Sequence, residues 1–218
     1  MDARVAVASL ALVVLIYPSA AFGQSIPVTA KERITDEIVQ DGKVIASHTR
    51  EAVFFRNSAG SILEQWTTID GKPTVGQMAW ARLYDKEQGV HYLLNYTEHH
   101  AYVDSMPNVT IPKNVNSGTR AQNALGQGSV QGLVCTWFPT YQLGPEGAAS
   151  PAGRHCFSDQ YDLDLKADST FTFPINGQAP RIQHLVTEKY DIQIGQEPDP
   201  KLFDVKANFT VYRPDPKQ

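Results

Sequence analysis

The chain has 218 residues, 42% of them apolar and 19% charged, with a formal net charge of −4. That is enough apolar material for a packed core, which excludes global disorder. With no basic stripe the electrostatic footprint of a nucleic-acid binder is missing, and 15 Gly and 14 Pro are too few for a collagen-like or low-complexity chain.

The chain opens with Arg4 and a 13-residue apolar run, Val5–Tyr17, broken by Pro18. Thirteen helical residues cover about 20 Å, short of the ~30 Å hydrocarbon core of a bilayer. Ala21 and Gly23 suit the −3 and −1 positions of a signal peptidase site. The reading is a signal peptide over 1–23 and a single domain over 24–218. The mature chain is expected to begin at Gln24, unlipidated and periplasmic or secreted. No later segment is apolar enough to span a membrane. The two cysteines, Cys135 and Cys156, are expected to pair, since an oxidising space favours it and their spacing fits neither C-x-x-C nor a zinc knuckle.

From there most of the chain reads as strands, with period two and turn residues every ten or so positions. Glu32–Val39 and Lys43–Arg56 flank Asp41-Gly42, a strong hairpin signal. Ile62–Ile69 ends at a second such pair, Asp70-Gly71. Ala79–Tyr84, Val90–Tyr96 and Ala101–Ser105 follow. Met106–Gly128 reads as a long connection or partly helical cover, with Arg120–Leu125 its short helix candidate. Val130–Pro139, Phe157–Lys166, the Phe171–Phe173 run and Gln183–Ile194 are the next strands. Glu197-Pro198-Asp199-Pro200 stops the last of these. Lys201–Phe203 reads as a helical turn and Asn208–Tyr212 as a final strand. Roughly ten strands joined as sequential hairpins imply antiparallel pairing in a curved half-barrel, a closed barrel or a sandwich.

Four stretches resemble a group of secreted proteins common in Acidobacteria. They are Arg56-Asn57-Ser58-Ala59-Gly60 with Glu64; Leu83-Tyr84-Asp85 to Gly89 with His91-Tyr92-Leu93-Leu94 and Ala101; Leu125-Gly126 to Gly132; and Glu197 to Val205. The chain departs from the group's pattern at Lys86, at Lys206 and in the loop between the cysteines. Such proteins resemble the lipoprotein-carrier (LolA-like) half-barrel superfamily. The resemblance implies a mainly β fold, a curved antiparallel sheet with a loop or short helix as cover. Its concave face would hold a lipid, an acyl chain or an apolar peptide.

Alternation puts Val90, Tyr92, Leu94 and Tyr96 on one face of their strand, and Val186, Tyr190, Ile192 and Ile194 on one face of theirs. Tyr92, Leu94, Tyr96, Val186, Tyr190 and Ile192 are therefore the expected ligand-binding residues. No catalytic residue, metal site or cofactor is expected. The sequence carries no G-x-S-x-G, S-x-x-K or H-E-x-x-H. His91, His99 and His100 cluster in sequence, but His99 and His100 would point to opposite faces. Asp162 and Asp164 would share a strand face, as solvent-facing acids do in many sheets. A structural or interaction protein without a small ligand is the alternative, and a hydrolase the third reading.

Overall fold

The computed structural model describes residues 25–74, 80–103, 123–143, 149–175 and 178–213. The expected signal segment lies outside the described residues, and so does the connection up to residue 122. The strands are β1 Val28–Gln40, β2 Lys43–Arg56, β3 Ile62–Ile69, β4 Lys72–Pro73, β5 Trp80–Asp85, β6 Val90–Asn95 and β7 His100–Val103. They continue as β8 Gly126–Val130, β9 Leu133–Leu143, β10 Ala149–Ser158, β11 Leu163–Ile175, β12 Gln178–Ile194 and β13 Thr210–Tyr212. A 3-10 turn, Pro200–Phe203, and one short helix, α1 Val205–Asn208, separate the last two strands.

All thirteen strands belong to one open sheet, in the order β13-β7-β6-β5-β3-β2-β1-β12-β11-β10-β9-β8, with β4 on β3. The Asp-Gly pairs make the turns that the sequence predicts. Asp41 and Gly42 take φ of 52° and 69°, and Asp70 and Gly71 take 51° and 72°. Two consecutive positive φ values define the turn whose twist matches the flanking strands.

The sheet is strongly curved, a half-barrel. Strands β2 and β11 are separated by β1 and β12, which is about 14 Å in a flat sheet. Yet the guanidinium of Arg56, at the end of β2, donates to the carbonyls of Tyr161 and Asp162 just before β11. An arginine reaches that far only if the sheet bends toward it. Register breaks at Thr29/Lys31, Ile38/Val39, Glu51/Ala52 and Cys156/Phe157 supply local kinks, and each bulge adds twist.

Four expectations are corrected. The run Phe157–Lys166 is not one strand. Its Tyr161/Leu163/Leu165 alternation crosses a tight turn in which Asp162 adopts φ 49° and the Tyr161 amide donates to the Ser158 carbonyl at 3.3 Å. Asp162 therefore sits in the turn and Asp164 is buried in β11, so they do not form a shared solvent face. Leu125–Gly128, assigned to the cover and its helix, is extended, and its last three residues already belong to edge strand β8. Gln131-Gly132, with φ of 51° and 78°, is a hairpin turn that splits the expected Val130–Pro139 strand between β8 and β9. Finally, β13 pairs with β7 in parallel, because residues 195–209 cross a face of the sheet before joining its edge.

Apolar packing is divided between the two faces. Phe54 belongs to a core with Val28, Ala30, Val130, Cys135, Cys156, Leu163 and Leu165. Its neighbour Phe55 packs on a second core of Leu63, Ala81, Leu83, Tyr92, Leu94, Ala101 and Val205. Successive strand residues point to opposite faces, so the cores lie on opposite sides of the sheet. Leu202, Phe203, Val205 and Phe209, all from the C-terminal segment, cover the second core. Asp199 and Asp204 hold that segment in shape by accepting from the Lys201 and Ala207 amides. Glu197 accepts from the Ser58 amide in the β2–β3 turn.

Candidate functional site

Cys135 and Cys156 are bonded, with Cα atoms 5.4 Å apart. The bridge lies between adjacent strands β9 and β10, within the first core. The cysteines thus sit on the two paired strands that flank the Gly- and Pro-rich residues 144–148, which lie outside the described residues.

The face that carries Phe54 holds an ionic group among its apolar residues. Glu32 of β1 and Lys189 of β12 are directly paired in register and are 3% and 1% exposed. Lys189 Nζ donates to Glu32 Oε1 at 2.5 Å and lies 4.5 Å from the centre of the Phe54 ring. Glu64 of β3 lies opposite Phe54 and accepts from the Trp66 indole at 2.9 Å. Burial, and secondarily the charge of Glu32, push the Glu64 carboxyl above the usual carboxylate range, while Arg82, Trp66 and Lys189 pull it down. The opposition follows from desolvation penalising a charge that nearby cations favour.

Beside this group the same face turns aromatic. The guanidiniums of Arg50 and Arg82 lie over Trp66, 5.8 and 5.5 Å from its ring centre. Glu64 pairs with Arg82, which pairs with Leu93 and then Tyr102 across β5, β6 and β7, so these residues share one face. Trp80 stacks on Tyr102 at 6.3 Å, and Tyr102 on Tyr212 at 5.5 Å. His100 stands between the two tyrosines, its ring nitrogens 3.3 Å from each hydroxyl. Trp66, Trp80 and Tyr102 are only partly buried. The row therefore offers ring edges and hydroxyls beside two stacked arginines.

The six expected ligand-binding residues do not come together. Tyr92 and Leu94 are 4% and 0% exposed in the second core, and Tyr96 packs against it, edge-on to Phe209 at 5.2 Å. Burial raises the Tyr96 hydroxyl above its ordinary range. Val186 and Tyr190 line a cleft of about 320 Å³ with Arg33, Thr35, Gln131 and Glu188. Ile192 lines a second cleft, of about 510 Å³, with Thr29, Ala30, Lys31 and Val53. A bulge separates Tyr190 from Ile192. Asp191 takes φ 50° there, which breaks the alternation, and Ile192 and Ile194 pack on the first core while Tyr190 does not.

Sequence reasoning missed the ionic group, although a signal existed. Val28, Ala30 and Glu32 share one phase of β1, and Leu185, Thr187 and Lys189 share one phase of β12. The charges thus stand in line with inward-facing residues.

The histidines are dispersed. His91 stacks on Tyr84 at 4.6 Å, and His99 sits in the β6–β7 turn with φ 52°. Among the described residues no three His, Cys, Asp or Glu side chains come close enough to hold a metal ion.

No family model and no curated protein matches the chain. Among solved structures it is similar to MucB in complex with MucA(peri), at 12% identity and a TM-score of 0.36, over 84% of this chain and 57% of that one. It is also similar to a LolA superfamily protein from Nitrosomonas europaea, at 10% identity and a TM-score of 0.35, over 84% and 91% of the two chains. A third is a domain of a putative outer membrane lipoprotein-sorting protein from Vibrio parahaemolyticus, at 8% identity and a TM-score of 0.26, over 85% and 92%. The chain thus spans less than two thirds of the MucB chain it matches.

Proposed function

We propose that the protein is an exported, non-enzymatic binding protein that holds an amphiphilic ligand (a lipid, acyl chain or apolar peptide) against the curved sheet. The observation that carries this reading is the partly exposed row Trp66–Trp80–Tyr102 beside Arg50, Arg82 and the half-buried Glu64. Ring surface suits an apolar chain, and the flanking guanidiniums suit an anionic head. Val186 and Tyr190 stand in the opposite phase of β12 from Lys189 and so on the other face of the sheet from this row, whereas Ile192 packs on the row's side, against the first core. Tyr92 and Leu94 would contact a ligand only if the C-terminal segment lifted. The disulfide supports an oxidising compartment, and N-terminal mass analysis of the native protein is expected to find Gln24 first.

The test is organic extraction of natively purified protein with mass spectrometry of the extract. Titration of the stripped protein with long-chain fatty acids, followed by tryptophan fluorescence, completes it. Co-purifying amphiphile, and a saturable signal lost in Trp66→Ala, is the expected result. An empty extract together with no saturable binding overturns the reading.

A further inference from the structure

Two arginines of the aromatic row lack an acceptor. Arg50 of β2 and Arg82 of β5 are half-buried and reach the Trp66 ring from the strands on either side of β3. Among the described residues neither guanidinium donates a hydrogen bond or closes an ion pair. Other arginines of the sheet do. Arg33 donates to Glu51, Arg56 to the Ile26, Tyr161 and Asp162 carbonyls, and Arg181 to Gln40. A guanidinium carries five N–H donors in a fixed fork, and a half-buried one without acceptors is a costly arrangement.

The acids around the row are already engaged. Glu32 accepts from Lys189 and Asp36 from Gln183. Glu98 accepts from Asn95 and lies 3.4 Å from His100. Asp70 binds His48 and the Thr49 amide. Glu64 is paired in register with Arg82, but its carboxylate takes the Trp66 indole N–H. The two guanidiniums therefore converge on one ring with their donors unspent, at one end of a track of side chains. From β3 the track runs through Trp80, Leu93 and Tyr102 to Tyr212 on β13, four strand spacings or about 19 Å in a flat sheet.

From this geometry we infer that the ligand is a lipid with an oxyanion head, a carboxylate or a phosphate, whose head sits on Arg50 and Arg82 and whose chain runs toward Tyr212. This rests on the reading above, that an amphiphile lies on this row. Guanidinium forks match the paired oxygens of either head. An uncharged head leaves both arginines short of acceptors and is bound less well. Glu64 is the acid beside Arg82 that repels an incoming anion, so it limits the affinity.

The experiment is calorimetric titration of the intact, lipid-stripped protein with palmitoyl lysophosphatidylglycerol, with palmitate and with uncharged monopalmitoylglycerol. Both anionic lipids are expected to bind about tenfold or more tighter than the neutral one, and added salt to narrow that gap. Arg50→Gln and Arg82→Gln are each expected to weaken the anionic lipids about tenfold and the neutral lipid less than about twofold. Glu64→Gln tightens the anionic lipids. Arg154→Gln, which removes an exposed arginine stacked on Trp137, changes neither class. The three-lipid comparison on the wild type needs no variant and decides the matter should an arginine variant fold poorly. Equal affinity for charged and uncharged lipids overturns the inference and leaves the reading of the row standing. Binding of none of the three overturns both. Glycerol phosphate or acetate binding as tightly as the lipids also overturns the inference, because the arginines would then hold a small ion. So does an Arg154→Gln loss equal to that of Arg82→Gln.

Discussion

Removing the Lys189 ammonium tests the reading of the inner face most directly. The pair Glu32–Lys189 is almost wholly enclosed, with side chains 4% and 2% exposed. Lys189→Ala leaves the Glu32 carboxylate without its cation and takes away one of the charges that favour ionised Glu64. Breaking a buried pair from one side costs about 3–5 kcal/mol. In a domain of this size that is a fall in melting temperature of roughly 6–20 °C. The double variant Glu32→Leu/Lys189→Met removes both charges and keeps the volume, so it should fall within about 1–2 kcal/mol of the wild type. Urea unfolding at pH 7, followed by tryptophan fluorescence with the disulfide intact, measures both. A Lys189→Ala loss below about 1 kcal/mol would show the pair to be hydrated. A double variant as unstable as the single one would show that packing around Lys189, and not charge, is what the site needs.

Three further outcomes are expected. Because Glu64 binds its proton more tightly in the folded state, its ionisation erodes stability as pH rises from the ordinary carboxylate range through its raised folded value. Glu64→Gln should therefore stabilise the protein at pH 7, with the gain vanishing toward pH 4; a gain that is the same at both pH values refutes the assignment. Thiol labelling of unreduced, denatured protein should find no free cysteine, and Cys135→Ala/Cys156→Ala should lower stability by about 2–4 kcal/mol in chemical denaturation. Leu94→Asp, at a fully buried position, should cost more than 4 kcal/mol. Asn95→Asp keeps the carbonyl oxygen that accepts from the Thr97 and Glu98 amides but sets a charge beside Glu98, so a loss of about 1–2 kcal/mol is expected.

Much of the fold was legible because its turns are made by local chemistry. Asp41-Gly42 and Asp70-Gly71 announce positive φ in the residues themselves. Gln131-Gly132 makes the same turn with a residue that does not announce it, so β8 was hidden inside a supposed cover. The stretches that resemble other secreted proteins also proved local in effect. Arg56 fastens the bend of the sheet, Glu197 binds the Ser58 turn, and Asp199 and Asp204 cap the C-terminal turns. They specify how the half-barrel closes its ends, and Glu64 is the residue among them that belongs to the candidate site.

The candidate site was harder to read, for a reason visible in β2. Alternation tells which side chains share a face, but not which face is covered. In most sheets one face is apolar and the answer is immediate. Here Val53, Phe54 and Phe55 are consecutive, so both phases of the strand are apolar. The buried face changes from the Phe54 side, over β1 and β2, to the Phe55 side, over β3 to β7. That exchange is possible because residues 195–209 return across the Phe55 side and bring Leu202, Phe203 and Val205 with them. The phase of Tyr92 and Leu94 was therefore correctly seen as apolar, but what lies on it comes from more than 100 residues away in sequence. The opposite phase, Arg82, Leu93 and Tyr102, looked like the outer surface and is the one that carries the aromatic row. In a sheet that buries different faces in its two halves, the residues free to meet a partner are those in the polar-looking phase next to the exchange. Glu64, Trp66 and Arg82 sit there.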